Sequence, residues 1–66
     1  MVKVETFSSK MHYDKSICYE ELATFLNKLG EDVEVLDIEK EWKEDKNKAN
    51  YSPSIYLEAM ILVDYF

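Results

Sequence analysis

The last segment, Ser54–Phe66, constrains this chain most, because it is apolar in both phases of a strand. Ile55, Leu57, Ala59, Ile61, Val63 and Tyr65 form one alternating set without a charge. Tyr56, Met60, Leu62 and Phe66 populate the other, interrupted by Glu58 and Asp64. A strand that avoids water on both sides belongs in the middle of a sheet, with cover above and below. Any fold must therefore find flanking strands and two layers of cover within 66 residues.

The rest of the chain supplies two such neighbours. Residues 2–7 alternate, with Val2, Val4 and Thr6 in one phase and Lys3, Glu5 and Phe7 in the other, which predicts a strand. Residues 32–42 alternate with a slip. Val33 and Val35 share one phase, and Leu36, Ile38, Lys40 and Trp42 share the other. A bulge produces such a slip, and so does a strand with two apolar faces. Between these strands the spacing predicts a helix over 15–29. Cys18, Leu22, Phe25, Leu26 and Leu29 form one apolar stripe, with Asp14 or Ser16 as N-cap and Glu20 and Glu21 in the first turns. Lys28 stands in the last turn, and Gly30 occupies the place of a left-handed C-terminal residue. Ser8–Tyr13 and the polar Lys43–Pro53 segment read as loops.

The expected order is β-α-β-β in one domain, 1–66. A right-handed crossover leaves a gap between the first two strands, and the apolar last strand fills it antiparallel. The result is an α+β fold with sheet order 1-3-2, half of a ferredoxin-like split βαβ. One helix covers one face of such a sheet. The bare face is expected to expose Tyr56, Met60, Leu62 and Phe66, joined by Phe7, a patch of several hundred Å² of the kind that marks interfaces. A chain this short buries only about 60% of its unfolded surface. Its single cysteine, Cys18, forms no internal disulfide. A homo-oligomer, most simply a two-fold dimer, answers both problems. A monomer with Lys43–Pro53 folded over the bare face is the rival arrangement.

Charge and composition restrict function. With 14 acids against 8 bases the net charge is −6, which disfavours direct nucleic-acid binding. The longest apolar run, Ala59–Val63, is too short for a bilayer, so no membrane is expected. No basic segment leading into an apolar one opens the sequence, and a lone thiol suits a reducing compartment, so the expected location is cytoplasmic.

Catalytic chemistry finds few candidates. The only histidine, His12, falls in a loop, and Cys18 lies on the apolar stripe, where a small buried thiol is ordinary. Zinc lacks ligands with one Cys and one His. Asp45-x-Asn47 opens as a calcium loop does, but Ala49, Asn50 and Tyr56 occupy the third-ligand, glycine and bidentate-glutamate positions. Gly30 is the only glycine, so no phosphate-cradling loop exists. Neither enzymatic activity nor a cofactor is expected.

Two surfaces remain. Asp37, Glu39 and Glu41 share one face of the second strand, with Glu34 in the opposite phase. They form either a solvated face or a negative stripe that docks on a basic protein partner. Lys43, Lys46 and Lys48 lie in or beside the long connector with Trp42 and Tyr51, and Tyr13 lies in the other loop. Aromatics interleaved with cations can hold a small nucleotide by stacking and charge.

The arrangement of core residues resembles a family of small sporulation-associated proteins of spore-forming bacteria and their phages. The resemblance is carried by Val2-x-Val4-x-x-Phe7, Leu22-x-x-Phe25-Leu26, Val35-x-Asp37-Ile38-Glu39 and Tyr56-x-x-Ala59-Met60-Ile61-Leu62-Val63. It implies the β-α-β-β fold and a bacterial or phage origin, and it carries over no catalytic motif. Size, charge and the two surfaces, rather than the resemblance, give two functional expectations. One is an acidic oligomeric protein that binds and inhibits or regulates another protein, such as a phage-encoded inhibitor of host defence. The other is a sponge that sequesters a signalling nucleotide at subunit interfaces.

Overall fold

The structure is a computed structural model that describes residues 1–46 and 53–66. Strand β1 (Val2–Ser8), helix α1 (Lys15–Lys28), strand β2 (Val33–Glu44) and strand β3 (Ile55–Tyr65) follow in that order. The sheet runs β1-β3-β2, with both outer strands antiparallel to β3. The fold is α+β, and the apolar strand is the central one. Its odd-numbered side chains meet α1: Leu57, Ile61 and Val63 are fully buried and Ala59 nearly so, against Cys18 and Leu22 of the helix. Burying each large aliphatic side chain contributes about 1.5–3 kcal/mol, so β3 is the main source of hydrophobic stabilisation.

Local chemistry sets the ends of α1. Asp14 is extended, at φ −117°, and its carboxylate accepts from the Ser16 backbone N–H at 2.9 Å. That hydrogen bond holds the Asp14 carboxyl below its usual pKa. The helix starts at Lys15 as expected; no acid occupies its first turn, and Glu20 and Glu21 fall in the second. At the other end the Leu29 N–H donates to the Leu26 carbonyl at 3.2 Å. Gly30 then reverses the chain at φ +94°, a left-handed conformation that a Cβ makes costly.

The slip in β2 is a bulge. Val35 pairs with Val63 and Asp37 with Leu62, which leaves Leu36 as the extra residue. The bulge keeps Val33, before it, and Ile38 and Trp42, after it, packed against the same core. It also moves Glu34, expected opposite Asp37, onto the same face as Asp37, because their partners Asp64 and Leu62 share a side of β3.

The Ser8–Tyr13 segment continues along β3 rather than leaving the sheet. Ser9 is buried; its N–H donates to the Leu57 carbonyl at 2.8 Å, and its Oγ accepts from the Leu57 N–H at 2.9 Å. His12 then exchanges backbone hydrogen bonds with Ile55 at 2.8 and 3.1 Å. These bonds satisfy backbone groups that an unpaired loop would leave on a buried strand.

Phe7 departs from expectation. It pairs with Ala59, so it points to the helix side, where its ring lies 5.3 Å from that of Phe25. Directly opposed residues of an antiparallel pair share a face, and the face of Ala59 is the one α1 covers. Val2 and Val4, opposite Asp64 and Leu62, take the bare side instead.

Candidate interaction surface

The uncovered face is graded across its width. On β1 it presents Val2, Val4 and Thr6; on β3, Tyr56, Met60 and Leu62 among Glu58 and Asp64; on β2, Glu34, Asp37, Glu39 and Glu41. One transverse row reads Val4, Leu62, Asp37, and the next reads Thr6, Met60, Glu39. The apolar part is open to solvent, with Val2, Val4 and Met60 exposed by 57, 58 and 53%. Phe66 lies beyond the strand at 80% exposure, its N–H donating to the Asp32 carbonyl at 3.0 Å.

All four β2 acids are exposed. Among the described residues of β1, β2 and β3 the one base on this face is Lys43, opposite Tyr56. Its ammonium lies 3.3 Å from Glu41, and that hydrogen bond raises the Lys43 pKa. The face thus combines an apolar half with a strongly negative half. Val2, Val4 and Glu34 belong to it although sequence alone did not place them there. The signal that identifies them is the parity of their β3 partners, which becomes known only with the register.

Among the described residues expected to hold a nucleotide, Trp42 and Lys43 do not converge. Trp42 pairs with Leu57 and Lys43 with Tyr56, so the two side chains point to opposite faces of the sheet. Trp42 instead meets α1: Tyr19 packs edge-on at 5.4 Å, and the Lys15 ammonium stands 5.1 Å from the indole centroid. The Lys40 ammonium stands 5.4 Å from the Tyr19 ring in turn. Cations and aromatics do interleave, but the lysine over Trp42 is Lys15, outside the connector. Lys46 is exposed in the turn after β2, and Tyr13 is 64% exposed before α1. Lys48 and Tyr51 lie outside the described residues.

Elsewhere, an open groove of about 460 Å³ runs beside α1, between Phe7, Ile17, Thr24 and Phe25. Cys18 is fully buried in the core. The His12 ring contacts the Glu21 carboxylate, and this hydrogen bond draws the Glu21 pKa down. Among the described residues no cluster of three or more His, Cys, Asp or Glu is arranged to hold a metal ion. No described helix is long and apolar enough to cross a membrane.

Comparison with known proteins gives no match: no protein-family model, no curated protein and no solved structure matches the chain.

Proposed function

We propose that this chain is a protein-binding module that docks through its uncovered sheet face and thereby inhibits or regulates its partner. The observation that carries this reading is the graded face, where Val4 and Leu62 lie in one row with Asp37, and Met60 lies beside Glu39. Desolvation of the apolar half supplies affinity, while the acids of β2 steer approach and fix orientation. The partner is a protein whose apolar patch is edged on one side by Lys or Arg. Inhibition of a host defence complex by a phage-encoded protein is a biological setting that the small size and net charge of −6 suit by analogy. The nucleotide-sequestering alternative draws less support, because Trp42 and Lys43 face opposite ways.

The test places a photo-crosslinking residue at Met60 and, separately, at Ile17 on the helix side. A discrete host protein is expected to crosslink from position 60 alone. Combining Asp37→Lys, Glu39→Lys and Glu41→Lys should remove that crosslink while the protein stays folded. Equal capture from position 17, or capture indifferent to charge reversal, overturns the reading.

A further inference from the structure

We propose that the outer edge of β1 pairs with the same edge of a second copy. The two strands run antiparallel about a two-fold axis at Val4, joining two three-stranded sheets into one. This goes beyond the docking reading and stands whether or not another protein takes the open face.

The two edges of the sheet are built differently. The outer strand β2 has its ladder interrupted at Leu36 and carries five acids, Glu34, Asp37, Glu39, Glu41 and Glu44, against two bases, Lys40 and Lys43. A bulge and an excess of charged side chains are means by which edges resist pairing. The outer strand β1 pairs with β3 without a shift and contains neither proline nor glycine. Its charges, Lys3 and Glu5, cancel. Among the described residues no strand lies beyond it.

The direction of the backbone groups selects the axis. The Met1 carbonyl accepts from the Tyr65 N–H, and the Ser9 N–H donates to the Leu57 carbonyl, both at 2.8 Å, so odd-numbered residues of β1 face β3. Antiparallel ladders alternate, which turns the N–H and C=O groups of Val2, Val4 and Thr6 outward. An axis at Val4 pairs those groups directly, Val4 with Val4 of the second copy and Val2 with Thr6. It also sets Lys3 opposite Glu5 of the second copy at a non-hydrogen-bonded position, where side chains approach most closely. Sliding the axis to Thr6 keeps the hydrogen-bond parity but sets Glu5 against Phe7 and forfeits both charge pairs.

Both charges are already held on the helix side by one ring. The Tyr65 hydroxyl donates to Glu5 at 3.0 Å, and the Lys3 ammonium lies 5.8 Å from the Tyr65 centroid. On the other side of the sheet, edge pairing extends the apolar rows of Val2 and Val4 across the axis and leaves the β2 acids of the two copies far apart. Stacking two open faces with β2 over β2 instead sets acids against acids. A short paired edge buries less than the roughly 1,200–2,000 Å² of a standard interface, so the dimer should dissociate at micromolar concentrations.

The test is charge exchange followed by sedimentation. The wild type is expected to dimerise as concentration rises, whereas Lys3→Glu and Glu5→Lys should each be monomeric with unchanged circular dichroism. Mixing these two variants should restore a dimer containing one of each, since every like-charge pair then becomes an opposite pair. Val4→Pro removes an outward N–H that β3 does not use and should also yield a folded monomer. A monomeric wild type at millimolar concentration overturns the proposal. So does a dimer untouched by Lys3→Glu, or a mixture of the two variants that stays monomeric.

Discussion

The two faces of β3 divide its eleven residues between opposite conditions. On the helix side, Leu57, Ala59, Ile61 and Val63 are sealed from water and touch one another and α1. On the other side, Tyr56, Met60 and Leu62 stand among Glu58 and Asp64, and Met60 remains 53% exposed. Both sets contain large apolar side chains, but their roles differ. One set closes a core, and the other leaves apolar surface available for a second molecule. Apolar content therefore says that a strand is central, whereas the cover laid over each face decides which set contributes to stability.

Substitutions can break this contrast, and the largest effect belongs to the covered side. Ile61→Ala should cost about 2–5 kcal/mol in chemical denaturation, since its fully buried site leaves a cavity. Its neighbour Leu62→Ala should cost less than about 1.5 kcal/mol yet weaken capture of the docking partner. Equal destabilisation by the two would erase the distinction between the faces. Deleting Leu36 comes next, because it removes the bulge while keeping Val33, Val35, Ile38 and Trp42 in one unbroken alternation. With the core-facing set preserved, stability should change by less than about 1 kcal/mol, read from the shift in denaturation midpoint. Neutralising Glu34, Asp37 and Glu39 to their amides should leave stability unchanged or slightly raised, because like charges on one strand are separated. Partner binding should then lose most of its dependence on salt.

The smallest effect concerns pH and tests the rim of the covered side. His12 holds the Glu21 carboxyl below its ordinary pKa of 4.5. A carboxyl depressed in the folded state stabilises that state above its unfolded pKa, and the contribution fades as pH falls through the lower folded value. Unfolding free energies of wild type and Glu21→Gln should therefore differ above about pH 5 and converge in more acidic solution. A gap that persists undiminished in acid would assign the effect to packing rather than charge.

Much of the fold was legible because periodicity reports directly on burial. The centrality of β3 follows from Ile55–Tyr65 being apolar in both phases, and the helix follows from its stripe and from Asp14 and Gly30. The membership of the open face was less accessible. Phe7 and Val4 differ only in parity, and parity acquires meaning when a partner residue is known. Leu62 selects Val4, and Ala59 selects Phe7. The slip in β2 was visible, but two causes fitted it until Leu36 emerged as the unpaired residue. Ser9 carried no signal, since nothing local shows that its hydroxyl will serve Leu57, 48 residues away. Trp42 was misassigned because proximity in sequence to Lys43 counts for nothing across a pleat.

The bulge also has a consequence for inheritance. A strand is read in steps of two, so gaining or losing one codon is the smallest genetic event that exchanges inside for outside. With its extra residue at Leu36, β2 behaves as two short messages whose frames are reconciled at one point. Substitutions on either side can then accumulate without reference to the other. Loss of that residue would merge the two messages into one regular alternation, with Val33, Val35, Ile38 and Trp42 still in step.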